Sequence, residues 1–296
     1  MMKNNKKPGF TLIELTLAVT FISLLLLAIA WLTIHITSTY EKGLAIKAVN
    51  SVGKELIDDF SRSIAGSPAM TVESICNSVY VPSSNSSRER DRKKCLDDRA
   101  SRIIYQQRYG TVKIKGKEQV VPTSGVFCTG RYTYLWNTAY ALNSTDYENG
   151  FKFRATFSDS SGNVNNEFRL LKVPDFNRQL CKSHMETTSY AYDGNLYFTL
   201  DGDAEAVELL DNSENDLALY DLRIFPPTVH SLTNSAFYSG TFILATLRGS
   251  IDITATGDFC SDPPDNLDTD FAYCAINKFN FAMKASGESI STERRK

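Results

Sequence analysis

Residues 15 to 34 read LTLAVTFISLLLLAIAWLTI, twenty residues without a charge, a proline or a glycine. As an α-helix this run is about 30 Å long, the thickness of a bilayer's hydrocarbon core. Such a run leaves two options, a membrane span or a helix buried deep in a soluble core. Soluble cores seldom need uninterrupted apolar helices of this length. Lys3, Lys6 and Lys7 precede the run. The positive-inside rule keeps them in the cytoplasm and sends the rest of the chain outward. A cleaved secretory signal begins in the same way. Here, however, the run is long for a signal, no small-x-small site follows Ile36, and the helical pattern continues.

That continuation runs from about Ser38 to Ile64. Ala45, Val49, Val52, Leu56, Phe60 and Ile64 recur at steps of three and four, with Glu41, Lys47, Lys54, Asp58 and Arg62 mostly elsewhere on the wheel. This is an amphipathic helix with one apolar stripe. Gly43 and Gly53 weaken it locally. No proline lies between Pro8 and Pro68, and Gly66-Ser67-Pro68 reads as the stop. The expectation is one helix from about Phe10 to Ala65, roughly 80 Å long. Its first half is greasy all round; its second half packs one face on a domain.

A carboxylate, Glu14, stands at the mouth of the apolar run. It can reach back to the headgroup layer, where the cost of charge falls steeply, or it can meet a positive partner within the membrane.

The segment Lys6-Lys7-Pro8-Gly9-Phe10-Thr11-Leu12-Ile13-Glu14, with the apolar run behind it, resembles the class III signal of type IV pilins and pseudopilins. The resemblance is close over residues 6 to 34 and extends to Ile64 by architecture. It implies a leader, residues 1–9, removed by a prepilin peptidase between Gly9 and Phe10 on the cytoplasmic side. It implies N-methylation of the new Phe10 amine, and neutralisation of that amine by Glu14 of a neighbouring subunit during assembly. The other partners it implies are further pilin subunits and an inner-membrane assembly platform. Physically, an ammonium and a carboxylate in a greasy bundle are each expensive alone and favourable as a pair, which rewards one axial register. Losing Lys3, Lys6 and Lys7 leaves 29 basic residues against 34 acidic and removes the cytoplasmic anchor. Many major pilins carry a proline in the apolar segment; this chain has Trp31 and Leu32 in that neighbourhood and a large head. That combination suits a minor subunit.

The remaining organisation follows. Residues 10–36 form the membrane or filament-core helix, 37–66 the amphipathic helix, and 67–296 an exported head. Cys76, Cys95, Cys128, Cys181, Cys260 and Cys274 all lie in the head. An even number in an exported domain reads as disulfides, with fifteen pairings open. Chain proximity favours Cys76–Cys95, Cys128–Cys181 and Cys260–Cys274. No CxxC or Cys/His cluster suggests zinc.

Between Cys76 and Cys95 a serine-rich stretch leads into RERDRKK. A solvated loop explains it; electrostatic contact with an anionic surface, DNA or a neighbouring pilin is the alternative. No aromatic residues interleave with the arginines, and the chain's net charge of −2 gives no sign of a nucleic-acid partner. Asn85 and Asn143 open glycosylation sequons, which matter only in a host with the enzyme.

From Arg102 onward the chain reads as strands. A hairpin is expected in IIYQQRYGTVKIKGKEQVVP, turning at Gly110 or Gly116, and another in GFKFRATFSDSSGNVNNEFRLLKV, where Phe151, Phe153, Ala155 and Phe157 alternate. GVFCTGRYTYLW, NLYFTL, ALYDLRIF, GTFILATLRGSIDI and FAYCAINKFNFAM follow the same habit. The expected fold is α+β: a long N-terminal helix packed on an antiparallel β-sheet head, pilin-like.

Catalytic chemistry is thin. His35, His184 and His230 are far apart, and no HExxH, GxSxG or P-loop occurs. Asp201-Gly202-Asp203 is a fragment of a calcium loop, and Asp262, Asp265, Asp268 and Asp270 crowd the loop before Cys274 without calcium-ligand spacing. That loop also resembles, by position, the disulfide-closed region many pilins expose. No enzyme, metal or cofactor is expected. The function the resemblance implies is a type IV pilus subunit serving adhesion, twitching motility or DNA uptake. The alternatives are a pseudopilin of a type II secretion or competence machine and an uncleaved, single-pass anchored surface domain.

Overall fold

A computed structural model describes residues 11–68, 90, 93, 105–114, 117–143, 155–158, 162–165, 167–175, 180, 196–199, 206–210, 216–230, 235–247 and 274–285. The fold is α+β, with one long N-terminal helix and, among the described residues, three sheets.

Helix α1 (Leu12–Ala65) runs unbroken for 54 residues, about 80 Å at the standard rise. Thr11 caps it, and its first helical residue, Leu12, comes two residues later than the Phe10 start expected. Gly66 caps its end, donating its backbone N–H to the Arg62 carbonyl at 3.1 Å, and the Ser67 hydroxyl donates to the Ser63 carbonyl at 2.6 Å. The Gly-Ser-Pro stop therefore acts where the sequence places it.

The apolar stripe of the second half is the face that packs. Val49, Leu56, Phe60 and Ile64 are buried in the main core, and Ala45 and Val52 pack against it half-buried. Gly53 has a role beyond its poor helix propensity. A Cβ there would stand 2.1 Å from the Phe279 ring, so the glycine lets the third sheet's edge strand press against the helix.

The first sheet has the order β1-β2-β3-β6-β8, from β1 (Tyr105–Ile114), β2 (Lys117–Cys128), β3 (Tyr132–Asn137), β6 (Leu170–Pro174) and β8 (Val207–Glu208), all antiparallel neighbours. β1 and β2 form the expected hairpin pair; Gly116, one of the two turn glycines expected, lies outside the described residues. Gly110 is not its turn but a strand residue opposite Val121. Gly125 faces Trp136 across β2 and β3, and a Cβ on it would lie 2.0 Å from the indole.

The hairpin expected around Phe157 is only partly there. β4 (Ala155–Ser158) pairs antiparallel with the two-residue β5 (Val164–Asn165), but the following run leaves as β6 and joins the first sheet. β4 instead takes β7 (Leu196–Thr199) as a parallel partner, giving the order β5-β4-β7. The head is thus not a single antiparallel sheet. A parallel pair needs a long crossover, and thirty-odd residues separate these two strands, which no local pattern reveals. The remaining sheet is β11-β10-β9, from β9 (Leu217–His230), β10 (Ser235–Thr246) and β11 (Ile276–Ala285), wholly antiparallel. A one-turn helix, α2 (Ala139–Asn143), follows β3 and covers Tyr220 and Ala245 with Ala139 and Tyr140.

Helix α1 docks across the first and last of these sheets. Phe60 sits where they meet: its ring lies 4.9 Å from Tyr134 of β3, 6.2 Å from Phe242 of β10 and 5.5 Å from Phe281 of β11.

Candidate functional site: the two ends of the long helix

The first half of α1 carries its large apolar side chains on the outside. From Leu12 to Ile36 the large apolar side chains are exposed, Leu12 at 81% and Trp31 at 71%. The reading of this run as a buried soluble helix is therefore set aside: the head does not cover it. Among the described residues it is the one helix long and apolar enough to cross a membrane. Its internal hydroxyls are satisfied locally. Thr16, Thr20, Ser23, Thr33, Thr37 and Thr39 each donate to a carbonyl three or four residues back. This is how a helix carries hydroxyl groups through hydrocarbon without orphaning them.

Glu14 occupies the first turn and makes a capping box with Thr11. The Thr11 backbone N–H donates to Glu14 Oε2 at 3.0 Å, the Thr11 hydroxyl donates to the same oxygen at 2.9 Å, and the Glu14 N–H donates to Thr11 Oγ1 at 3.4 Å. Two of the helix's orphan donors are thereby satisfied reciprocally. The signal was available as Thr-Leu-Ile-Glu, the S/T-x-x-E spacing at a helix start. Read only as a charge awaiting a partner, Glu14 hides this second role. Gly9 and Phe10, the processing, methylation and assembly residues, lie outside the described residues.

Farther up the same helix, Trp31 and His35 stack as i, i+4 neighbours with ring centroids 5.9 Å apart and planes within 5°. The first charged residue after Glu14 is Glu41.

At the head end a polar cluster fastens the helix. Asp59 accepts from Lys172 Nζ at 2.6 Å and from the Tyr134 hydroxyl at 2.8 Å, and the ammonium also lies 4.4 Å from the centre of the Tyr132 ring. Both charged side chains are largely shielded, 17% exposed for Lys172 and 19% for Asp59. Burial, and then the Asp59 carboxylate beside it, push the Tyr134 phenol well above its ordinary range, so it stays a donor at all working pH values. Nothing in the local sequence marks this cluster, because its members come from α1, β3 and β6.

A second cluster ties β1 to β9. Gln107 Nε2 donates to Asp221 Oδ1 at 2.7 Å, Arg223 Nε pairs with Asp221 Oδ2 at 2.6 Å, and the Tyr105 hydroxyl donates to the Leu222 carbonyl at 2.7 Å. A third closes the edge of β6. Glu208 Oε1 accepts from the backbone N–H groups of Arg169 at 3.1 Å and Leu170 at 2.7 Å, while Arg169 pairs with Asp216 and donates to the Leu217 carbonyl at 2.9 Å. All three tie separate elements of the head together, the second and third with one partner open to solvent, Arg223 and Asp216.

Cys128 and Cys274 are both in disulfides and both buried, in separate clusters. Cys76, Cys95, Cys181 and Cys260 lie outside the described residues, as do Asp201 to Asp203, the aspartates between Cys260 and Cys274, His184 and most of the basic segment before Cys95. Among the described residues no group of His, Cys, Asp and Glu is placed to hold a metal ion.

The described part of the molecule is therefore an exposed apolar helix capped by Glu14 and continuous with a helix packed into a β-rich head. No protein-family model, curated protein or solved structure matches the chain.

Proposed function

We propose that the chain is a type IV pilin-like subunit, a minor pilin, cleaved after Gly9, N-methylated at Phe10 and inserted into a surface filament from the cytoplasmic membrane. The observation that carries this reading is one of continuity. The Gly9–Glu14 signal opens a single helix whose first 25 residues are exposed apolar surface and whose last 17 are the spine of a folded head. A subunit that must stand in a bilayer and later in a helix bundle needs that division. The span is oriented with the head outside, and prepilin peptidase, other pilins and the inner-membrane assembly platform are the partners.

Mass spectrometry of the N-terminal peptide tests this. A methylated Phe10 terminus in sheared surface filaments is the expected result. A methylated terminus confined to membranes replaces the pilus with a pseudopilus of a secretion or competence machine. An uncleaved leader in every fraction refutes processing.

The capping box favours one rival, an anchored surface domain, because it satisfies Glu14 within its own chain. Glu14→Ala separates the two. In a filament subunit it leaves processing intact and lowers incorporation by tenfold or more, the factor that about 1.4 kcal/mol of lost pairing produces. An anchored domain keeps its surface level.

A further inference from the structure

We infer that the Thr11–Glu14 box and the Trp31–His35 stack are the two ends of a bilayer gauge: Trp31 and His35 seat at the outer edge of the hydrocarbon core while the Glu14 carboxylate sits in the inner headgroup layer. The inference rests on the membrane span of the proposed function and adds its depth. The partner is the lipid surface itself.

Three observations set the register. The apolar run alone does not, since uncharged residues continue from Leu15 to Tyr40, about six residues more than a 30 Å core requires. Some feature must choose which twenty of them are submerged. Trp31 is the natural choice. Indoles concentrate at membrane–water interfaces, where an apolar ring meets a polar N–H. Trp31 is exposed along the helix wall, and the parallel stack with His35 places a second amphipathic ring one turn farther toward the head.

Glu14 supplies the other end, but only through the capping box. Measured between Cα positions, Glu14 and Trp31 are seventeen residues apart, about 26 Å, too short to place both at opposite edges of the core. Helical side chains lean toward the N-terminus, however. Here the Glu14 carboxylate reaches the Thr11 backbone N–H and hydroxyl. Its charge therefore lies at the level of Thr11, about 30 Å from the Trp31 backbone; the indole leans the same way and sits just inside the outer edge of the core, with the His35 ring one turn beyond it at that edge. With this register a lone subunit carries Glu14 in the membrane without a partner and without a buried charge. Ile36, Tyr40 and Leu44 then stand above the outer surface as exposed apolar residues.

The molecule makes the test unusually direct. It has two tryptophans, and Trp136 is wholly buried in the head. Quenching by lipid-borne groups therefore reports Trp31. The full-length chain is reconstituted into phosphatidylcholine–phosphatidylglycerol vesicles containing lipids brominated either near the carbonyl or near the chain end. The expected result is at least twofold stronger quenching by the shallow label. A second variant, Trp31→Phe with Leu25→Trp, moves the indole about 9 Å along the axis and reverses the order. Trp31 quenched most by the deep label overturns the gauge while leaving a span, and with it the proposed function, intact. Position 25 quenching deeply while Trp31 is untouched by both labels overturns it in the same way, placing Trp31 beyond the headgroups. No quenching at either position overturns the gauge and the span together.

Discussion

Phe60→Ala tests whether the helix is a structural member of the head or merely attached to it. Phe60 is about 1% exposed, and its ring contacts Tyr134 in the first sheet and Phe242 and Phe281 in the last. Truncation removes a fully buried ring and leaves a cavity lined by three aromatic side chains that are themselves fixed by other contacts. Phe127 stacks on Tyr134 at 6.0 Å and Phe279 on Phe242 at 5.0 Å, so the walls have little freedom to collapse. The cost falls in the middle of the usual 3–5 kcal/mol range for buried Phe→Ala, about 4 kcal/mol. That is a large part of a typical domain's 5–15 kcal/mol. Phe60→Leu keeps most of the volume and costs about 1.5 kcal/mol. Leu44→Ala, at a half-exposed site off the core, stays within about 0.5 kcal/mol of wild type. The assay is guanidinium unfolding of the full-length protein in mild detergent, followed by near-ultraviolet circular dichroism, which reports aromatic packing. A loss below about 1 kcal/mol for Phe60→Ala, with an unchanged denaturant slope, refutes the claim that helix and sheets share one cooperative core.

Two further outcomes follow from the polar ties. Asp59→Ala strands the Lys172 ammonium and the Tyr134 hydroxyl in a largely shielded site; it costs about 2–3 kcal/mol by thermal or chemical unfolding, below the fully buried range because the Lys172–Asp59 pair keeps some solvent. Lys172→Met on the Asp59→Ala background recovers part of that loss, and a double-mutant cycle measures the recovery. Glu208 is held above its ordinary carboxylate range by burial, against the opposing pull of the N–H groups of Leu170, Arg169 and Leu210. A raised acid binds more protons folded than unfolded, so its contribution is fully present below the unfolded value of 4.5 and is lost as pH rises through the folded one. Glu208→Gln, which still accepts those N–H groups, should therefore become progressively more favourable relative to wild type between pH 4 and pH 7 in unfolding titrations. A difference that does not change with pH contradicts the assignment.

The helix was legible because its signal is local and periodic. Val49, Val52, Leu56, Phe60 and Ile64 share a face by spacing alone, and that face is the buried one. The β1–β2 hairpin was legible for the same reason: its partners are adjacent in the chain. What failed was long-range. The run after Phe157 looks like a second hairpin strand, but β6 finds β3 and β4 finds β7, choices made by the sheets as wholes. Asp59 carried no mark of its importance, since Tyr134 lies 75 residues away and Lys172 lies 113 away. The Thr11–Glu14 box is the opposite case. Its Thr-x-x-Glu spacing is contained in four consecutive residues, and a reading of Glu14 as a charge alone passes over it. Gly53 reads as a helix weakness until Phe279 is seen to occupy the space of its missing side chain.

The two halves of α1 impose opposite demands on one rigid body, and that bears on how the head is presented. No proline interrupts Leu12–Ala65, and the last four turns are clamped by Phe60, by the Asp59–Lys172 pair and by the Ser67 cap. A force or a rotation applied to the apolar half therefore reaches the core of the head without a hinge to absorb it. If Trp31 marks the outer membrane surface, Val49, the first fully buried stripe residue, lies eighteen residues farther on, about 27 Å along the axis. On that register the described core of the head begins beyond a stretch of bare helix. The exposed apolar residues of that stretch, Ile36, Tyr40 and Leu44, recur four apart on one side of the helix. An anchored domain gains nothing from an apolar stripe in water. A subunit destined to pack that stripe against neighbouring helices does, and this asymmetry is what weighs most heavily for the filament reading over the anchor.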